Sequence, residues 1–174
     1  MADSPIRNTP LPAAPFTAAG VTISAAPPLV RWSLRARDRA MLEGVIERSL
    51  PARIGETLDG AICLGPDEWL LRAPAGSALA DGAGAPVAVV DISERALGIT
   101  LSGPAALAVI EAGCPRDVSR FAVGYATRTI FEGTEVLIER TGAEAFYIEV
   151  WRSFAPWLWT ALTQAANDLA LATT

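Results

Sequence analysis

Residues 126–159 decide the fold, and they read ATRTIFEGTEVLIERTGAEAFYIEVWRSFAPWLW. Three stretches within them, 126–131, 135–140 and 145–151, alternate apolar and polar side chains. Glu-Gly-Thr and Thr-Gly-Ala, both typical of turns, separate the three stretches. A period of two residues interrupted by short glycine-containing turns is typical of antiparallel strands joined as hairpins. The sequence therefore predicts three consecutive antiparallel strands here.

A helix is predicted directly after these strands, with Ser153 as its cap and Pro156 in its first turn, where a missing N–H is tolerated. Apolar residues recur at helical spacing and predict a face turned to the core; they are Phe154, Leu158, Ala161, Leu162, Ala165 and Leu169. Residues 151–159 hold four large aromatic residues and one arginine. Trp157 and Trp159 fall outside the centre of the core face, on opposite flanks.

Two interpretations of this aromatic ending stay open. The tryptophans can cover the rim of their own domain, or they can contact another protein, because tryptophan and arginine are enriched at protein interfaces. We favour the interface. Its predicted residues are Trp151, Arg152, Phe154, Trp157 and Trp159.

The upstream sequence continues the same mixture of strands and single helices. Residues 30–35 alternate as a half-buried strand, and Asp38 is placed to cap a helix after it. A hairpin is predicted over 61–72, a central strand over the apolar run 87–92, and a further strand over 97–101. Ser102 or Gly103 is the predicted cap of a short helix. The segments 30–72 and 97–140 show a similar order of elements, with too little identity to establish a repeat. We expect a single α+β domain over residues 30–174, with antiparallel or mixed sheets and helices.

The N-terminal segment 1–29 holds six of the 13 prolines and no clear strand or helix period. Proline-rich sequence of this kind is extended or disordered. We expect folded structure to begin near Leu29. The segment is then either a loose tail or an arm laid along a partner.

Composition excludes several classes of function. The net charge of −5 argues against nucleic-acid binding. No apolar run is long enough to span a membrane and no signal peptide is apparent, so we expect a cytoplasmic protein. The chain has no histidine, and all 14 basic residues are arginine, which excludes histidine-based triads and Schiff-base lysines. Cys63 and Cys114 stand alone, so no zinc site is predicted.

Four carboxylates are candidates for acid–base chemistry: Asp67, Asp91, Asp117 and Glu149. Asp67 lies in a Gly-Pro-Asp turn, where aspartate is favoured for its geometry. Asp91 follows an apolar strand and can accept backbone N–H groups of the next turn. Asp117, after a predicted helix end, can do the same for its own loop. A structural role is the simpler interpretation for these aspartates.

Six short motifs occur in an order that resembles one family. They are GPDEWLL (65–71), DISER (91–95), LSGPAA (101–106), GCPRD (113–117), TRT (127–129) and RSFAPW (152–157). Together they resemble the gamma subunit of heterotetrameric sarcosine oxidase, from about residue 30 to the C-terminus. The resemblance implies a fold similar to the folate-binding domain of the glycine-cleavage T-protein. It also implies a place in an enzyme that oxidatively demethylates sarcosine to glycine.

The resemblance further implies that chemistry resides on other chains. In such a complex the one-carbon unit passes to tetrahydrofolate and hydrogen peroxide is released. FAD, FMN, NAD, zinc and tetrahydrofolate are expected on the alpha, beta and delta subunits, and none on this chain. The context of Asp117, Asp-Val-Ser, resembles the stretch that carries the folate-site aspartate of T-protein-like domains. Asp117 is therefore the one candidate cofactor-binding residue.

Three functions remain open from the sequence. The chain is expected to be a non-catalytic assembly subunit of a sarcosine oxidase. The alternatives are a stand-alone folate-binding, one-carbon-transfer protein and a gamma-like subunit of a related N-methyl amino acid oxidoreductase. If the assembly role is right, the chain expressed alone should expose an apolar patch near the last helix and tend to self-associate.

Overall fold

A computed structural model of the chain describes residues 9–172, whose strands form two antiparallel sheets. The first sheet has six strands in the spatial order β1 (Phe16–Ala18), β2 (Val21–Ala25), β8 (Ala96–Ser102), β11 (Ala145–Trp151), β10 (Thr134–Gly142) and β9 (Ala126–Phe131). The second has five, in the order β4 (Thr57–Leu58), β5 (Ala61–Gly65), β6 (Glu68–Pro74), β3 (Leu29–Ala36) and β7 (Val87–Asp91).

Three α-helices accompany the sheets: α1 (Arg39–Ile46), α2 (Ala106–Glu111) and α3 (Ala155–Ala172). The predicted cap of α1 is confirmed, because the Asp38 carboxylate accepts the N–H of Ala40 at 2.9 Å. Two short 3-10 turns, Val118–Arg120 and Arg152–Phe154, precede β9 and α3.

The same strand order occurs twice along the chain. A strand, a helix and a three-strand meander run from β3 through β6, and the same series runs from β8 through β11. In each series the last strand of the meander pairs with the first strand, giving the orders β4-β5-β6-β3 and β9-β10-β11-β8. The two series meet at an antiparallel bridge between Glu56 and Tyr125, the residues just before β4 and β9. The second unit thus extends to Trp151, beyond the 97–140 segment that the sequence indicated.

Alternation along the strands divides the side chains among three layers. Val136 and Ile138 of β10 face a core shared with α2 and α3, whereas Leu137 between them faces the second sheet. Trp69 and Leu71 of β6 face a core shared with α1. The two sheets therefore pack face to face, with helices covering their outer faces, and the predicted α+β class is confirmed.

The N-terminal segment differs from the prediction of a tail or arm over 1–29. Within it, β1 and β2 form a hairpin, and β2 pairs with β8 in the middle of the first sheet. Val21 and Ile23 are fully buried. The turn consists of Ala19 and Gly20, both at positive φ, which is the geometry of a tight two-residue hairpin. Residues 1–8 of the predicted arm lie outside the described part of the chain.

Three further local predictions were wrong. The apolar run 87–92 forms an edge strand, not a central one, since within residues 9–172 β7 pairs with β3 alone and Val90 is 52% exposed. Neither Ser102 nor Gly103 caps α2. Ser102 is the last residue of β8, and Gly103, at φ +118°, makes the turn that precedes the helix; Ala105 occupies the cap position without a side-chain hydrogen bond. Ser153 likewise lies inside the 3-10 turn before α3.

Candidate functional site

Three aromatic side chains lie exposed where β11 passes into α3. Trp151 is 45%, Phe154 46% and Trp157 41% exposed, and we call these three residues the aromatic surface. The Arg152–Phe154 turn joins the strand directly to the helix, without a loop. All three aromatic residues therefore lie on regular secondary structure. Exposed aromatic side chains near one another are enriched at protein–protein interfaces.

Two arginines border the aromatic surface. The Arg95 guanidinium stacks on the Trp151 ring, 4.4 Å from its centroid, and Arg152 pairs with Glu94 at 3.5 Å. The Arg152 N–H also donates to the Arg95 carbonyl at 2.8 Å, which ties the β7–β8 loop to the end of β11. The predicted combination of aromatic and arginine side chains is therefore present, and Arg95 joins it.

Two residues of the last helix differ in exposure from the prediction. Trp159 is half-buried against the core of the first sheet, unlike Trp157. Phe154, predicted as a core residue of the last helix, is exposed. The helix starts only at Ala155, after a 3-10 turn, and this change of helix type shifts the buried face. The buried side chains of α3 are Ala155, Leu158, Leu162 and Ala166.

A polar cluster that the sequence did not reveal lies buried between the sheets. Arg31 of β3 donates from Nε to Glu149 of β11 at 2.8 Å, and their side chains are 3% and 8% exposed. Arg31 Nη2 donates to the Tyr147 hydroxyl at 3.0 Å, which in turn donates to Glu149 at 3.2 Å. Burial by itself would lower the pKa of Arg31, but the charges and hydrogen bonds of Glu149 and Tyr147 together outweigh it, and the pKa is raised. Burial also raises the pKa of Tyr147, and Glu149 adds to this effect.

A second buried pair lies beside the first. Arg72 of β6 donates to Glu139 of β10, and its guanidinium lies 4.5 Å from the centroid of the Tyr147 ring. Arg72 Nε has no hydrogen-bond partner among the described residues. Gly98 of β8 leaves room for this arrangement, because a Cβ there would lie 2.3 Å from the Tyr147 hydroxyl. Two arginines and two glutamates thus neutralise one another between the sheets.

The buried cluster also holds the loop that carries Arg95. The Arg31 N–H donates to the Ser93 hydroxyl at 2.9 Å, and the Arg31 carbonyl accepts the N–H of Ile92 at 2.8 Å. The Ser93 hydroxyl donates to Asp91 at 2.6 Å, and Asp91 also accepts the Ser93 N–H. Asp91 therefore has the turn-stabilising role that the sequence indicated.

The remaining candidate residues also have structural contacts. Asp117 is exposed and accepts a hydrogen bond from the Ser119 hydroxyl in its own turn. Asp67, in the β5–β6 turn, lies 3.7 Å from Arg35. Cys63 is buried, and burial raises the pKa of its thiol, which donates to the Gly65 carbonyl at 3.3 Å. Cys114 is also buried.

Neither a metal-binding cluster nor a membrane-spanning helix occurs in residues 9–172. This part of the chain contains no group of three or more His, Cys, Asp or Glu side chains placed to hold a metal. None of its helices combines the length and apolar character needed to cross a membrane.

Comparison with known sequences gives a consistent family. The sarcosine oxidase, gamma subunit family matches residues 45–168. The sarcosine oxidase subunit gamma of Arthrobacter sp. is 35% identical over 144 residues, covering 74% of this chain and 71% of the relative. The subunit gamma of Corynebacterium sp. strain P-1 is 34% identical over 145 residues, with the same coverage. The chain belongs to the sarcosine oxidase gamma subunit family.

Solved structures agree with the family and the fold. A chain of the heterotetrameric sarcosine oxidase from Corynebacterium sp. U-96, in complex with pyrrole 2-carboxylate, superposes with a TM-score of 0.79 at 31% identity. The match covers 86% of this chain and 85% of that one. The glycine cleavage system aminomethyltransferase T from Bartonella henselae gives a TM-score of 0.64 at 20% identity, over 84% of this chain and 46% of that one. The family resemblance and the T-protein-like fold predicted from the motifs are thereby confirmed.

Proposed function

We propose that this chain is a non-catalytic subunit that assembles and stabilises a heterotetrameric sarcosine oxidase. The observation that carries the proposal is the aromatic surface on a chain of the gamma subunit family. Trp151, Phe154 and Trp157 are held on a strand end and a helix start, so they lose little conformational freedom when a partner covers them. Such preorganised aromatic residues supply much of the binding free energy at protein interfaces.

The contacts of the candidate carboxylates support a role outside catalysis. Glu149 is engaged by Arg31 and Tyr147, and Asp91 by Ser93. A general acid or base must reach a substrate proton, and a carboxylate already bound in a buried ion pair is poorly placed for that. These groups explain the cohesion of the sheets and of the β7–β8 loop.

On this proposal, the chemistry belongs to the alpha, beta and delta subunits. They would hold FAD, FMN, NAD, zinc and tetrahydrofolate, oxidise sarcosine to glycine with release of hydrogen peroxide, and pass on the one-carbon unit. In a related N-methyl amino acid oxidoreductase, this chain would contact the other subunits in the same way, because the other subunits would determine the substrate specificity. Assaying the purified complex on sarcosine and on other N-methyl amino acids separates the two.

Co-expression tests the assembly role. The tagged chain should co-purify with the subunits encoded beside it, and a Phe154→Ala/Trp157→Ala double variant should retain far less of them. Truncating an anchoring aromatic costs about 2 kcal/mol or more, which is roughly thirtyfold in affinity. Met41→Ala/Ile54→Ala is the matched control, since these side chains are 41% and 58% exposed elsewhere on the surface. Wild-type chain that remains alone at micromolar concentration would refute the proposal.

A stand-alone folate-binding protein is the second candidate. It is favoured by the T-protein-like fold and by Asp117, whose carboxylate is exposed. Titration with tetrahydrofolate, followed by tryptophan fluorescence, gives a saturable change if this candidate is right, and Asp117→Ala then weakens it. A flat titration eliminates the candidate.

A further inference from the structure

The turn between β7 and β8, residues 92–95, is hydrogen-bonded to a strand of each sheet. Ile92 donates its N–H to the Arg31 carbonyl of β3 at 2.8 Å, and Arg95 closes the turn by donating its N–H to the Ile92 carbonyl at 2.9 Å. At the other end, the Arg95 carbonyl accepts the N–H of Arg152, directly after β11, at 2.8 Å. The turn therefore connects β3 in the second sheet to the start of the aromatic surface.

The Ser93 hydroxyl makes two of the hydrogen bonds that define this turn. It accepts the Arg31 N–H at 2.9 Å and donates to the Asp91 carboxylate at 2.6 Å. Asp91 also accepts the Ser93 N–H at 2.8 Å. Ser93 is half-buried, and both of its hydroxyl contacts lie within the chain. Removing this hydroxyl takes away the acceptor of the Arg31 N–H and loosens the attachment of the turn to β3.

Arg95 carries the effect of the turn to the Trp151 ring. Its guanidinium lies 4.4 Å from the ring centroid, while the Trp151 residue remains 45% exposed. A cation stacked on one face of an aromatic ring favours the rotamer that keeps the two groups in contact. A ring that is already ordered loses less side-chain entropy when another protein covers it. Trp151 is the first residue of the aromatic surface, so the turn acts where that surface begins.

We propose that the turn 92–95 holds the Trp151 ring in the orientation that the partner subunit binds, with Ser93 and Arg95 as positioning residues. The inference rests on the proposed assembly function and assigns part of the affinity to residues that orient the ring. Ser93 acts through Arg95, and Arg95 acts through the ring, so the effect of either residue on binding depends on Trp151. This dependence distinguishes positioning from a direct contact with the partner and from a general loss of stability.

Ser93→Ala tests the proposal in the co-purified complex. It should raise the dissociation constant for the other subunits between about twofold and tenfold, because the Trp151 ring must then be ordered on binding. Ser93→Thr keeps the hydroxyl and should restore most of the affinity. Ser119→Ala is the matched control, since the Ser119 hydroxyl likewise donates to the aspartate two positions before it, Asp117, in the turn after α2.

A double-mutant cycle with Trp151→Ala provides the readout that a merely structural role would not change. In the Trp151→Ala chain, Ser93→Ala should alter the dissociation constant by less than about twofold, because no ring remains to be positioned. Arg95→Ala removes an exposed side chain and should show the same dependence on Trp151, which keeps the test valid if Ser93→Ala lowers the stability of the fold. Equal losses of affinity with and without Trp151 would overturn the proposal.

The result for Ser93 can fail separately from the proposed function. If the wild-type chain co-purifies and Ser93→Ala binds as tightly as Ser119→Ala, the positioning role is wrong while the assembly role stands. If the wild-type chain binds no subunit, both are wrong.

Discussion

Arg31 and Glu149 join the two sheets through an ion pair almost closed to solvent. Removing one partner of such a pair leaves a buried charge without its counter-ion, which costs about 3–5 kcal/mol. We therefore expect Glu149→Leu to lower the free energy of unfolding by that amount. The Arg31→Met/Glu149→Leu double variant should regain most of it, because an apolar pair of similar volume can replace a buried ion pair.

Urea unfolding of both variants checks this expectation. A single substitution that costs under about 1 kcal/mol, or a double variant no more stable than the single one, would show that the pair does not couple the sheets in this way.

Glu68 gives the protein a defined response to acid. The hydrogen bond from Arg128 lowers the pKa of Glu68, and the charge of Arg35 lowers it further. A carboxyl group whose pKa is lower in the folded state contributes stability above its unfolded pKa, near 4.3, and loses this contribution as pH falls through the folded value.

Melting temperatures measured between neutral pH and about pH 3 test the assignment to Glu68. The difference in melting temperature between wild type and Glu68→Gln should shrink as pH falls below about 4, because Glu68 is protonated first in the unfolded chain and, at still lower pH, in the folded chain. Glu135→Gln, which removes an exposed carboxylate from β10, is the control. A difference that stays constant with pH would contradict the assignment.

Among the secondary-structure elements, the hairpin β1–β2 is an integral part of the folded domain. Ile23 of β2 is fully buried against α3 and β8, so Ile23→Ala should cost about 2–5 kcal/mol. Thr22, the neighbour on the opposite face of the strand, should tolerate alanine with a much smaller loss. Equal and negligible effects at both positions, measured by chemical denaturation, would instead support a loose N-terminal tail.

The strands were predictable where the local pattern alone decides them. Residues 126–151 alternate regularly between apolar and polar side chains and contain the turns between the strands. Asp38 directly precedes a helix and is a residue type that is favoured as a helix cap. The N-terminal hairpin was missed because prolines dominate residues 1–29, although none lies between Pro15 and Pro27. The sequence does contain a signal for this hairpin: a turn with a glycine at Ala19 and Gly20, followed by the alternating apolar residues Val21 and Ile23.

Contacts across the sheets could not be predicted in the same way. Arg31 falls on the polar side of an alternating strand. When only one face of a sheet is covered, a residue on that side is expected to be exposed to solvent. Here both faces are covered, and the polar side meets Glu149, 118 positions later in the chain. Only the packing of the two sheets brings these residues together.

The whole molecule is two similar sheet units with an outward-facing aromatic surface at the end of the second. The buried ion pairs join the two units, and the backbone of Arg31 holds Ile92 and Ser93 in the loop that carries Arg95, whose guanidinium stacks on Trp151. The proposed assembly role depends on this surface.

Hydroxyl-radical footprinting of the chain, alone and in the co-purified complex, measures whether a partner covers the aromatic surface. We expect Trp151, Phe154 and Trp157 to be oxidised in the isolated chain and protected in the complex. Met41 and Ile54, exposed on other parts of the surface, should react alike in both states. If the three aromatic residues stay as reactive in the complex as in the isolated chain, the aromatic surface is not the contact with the partner.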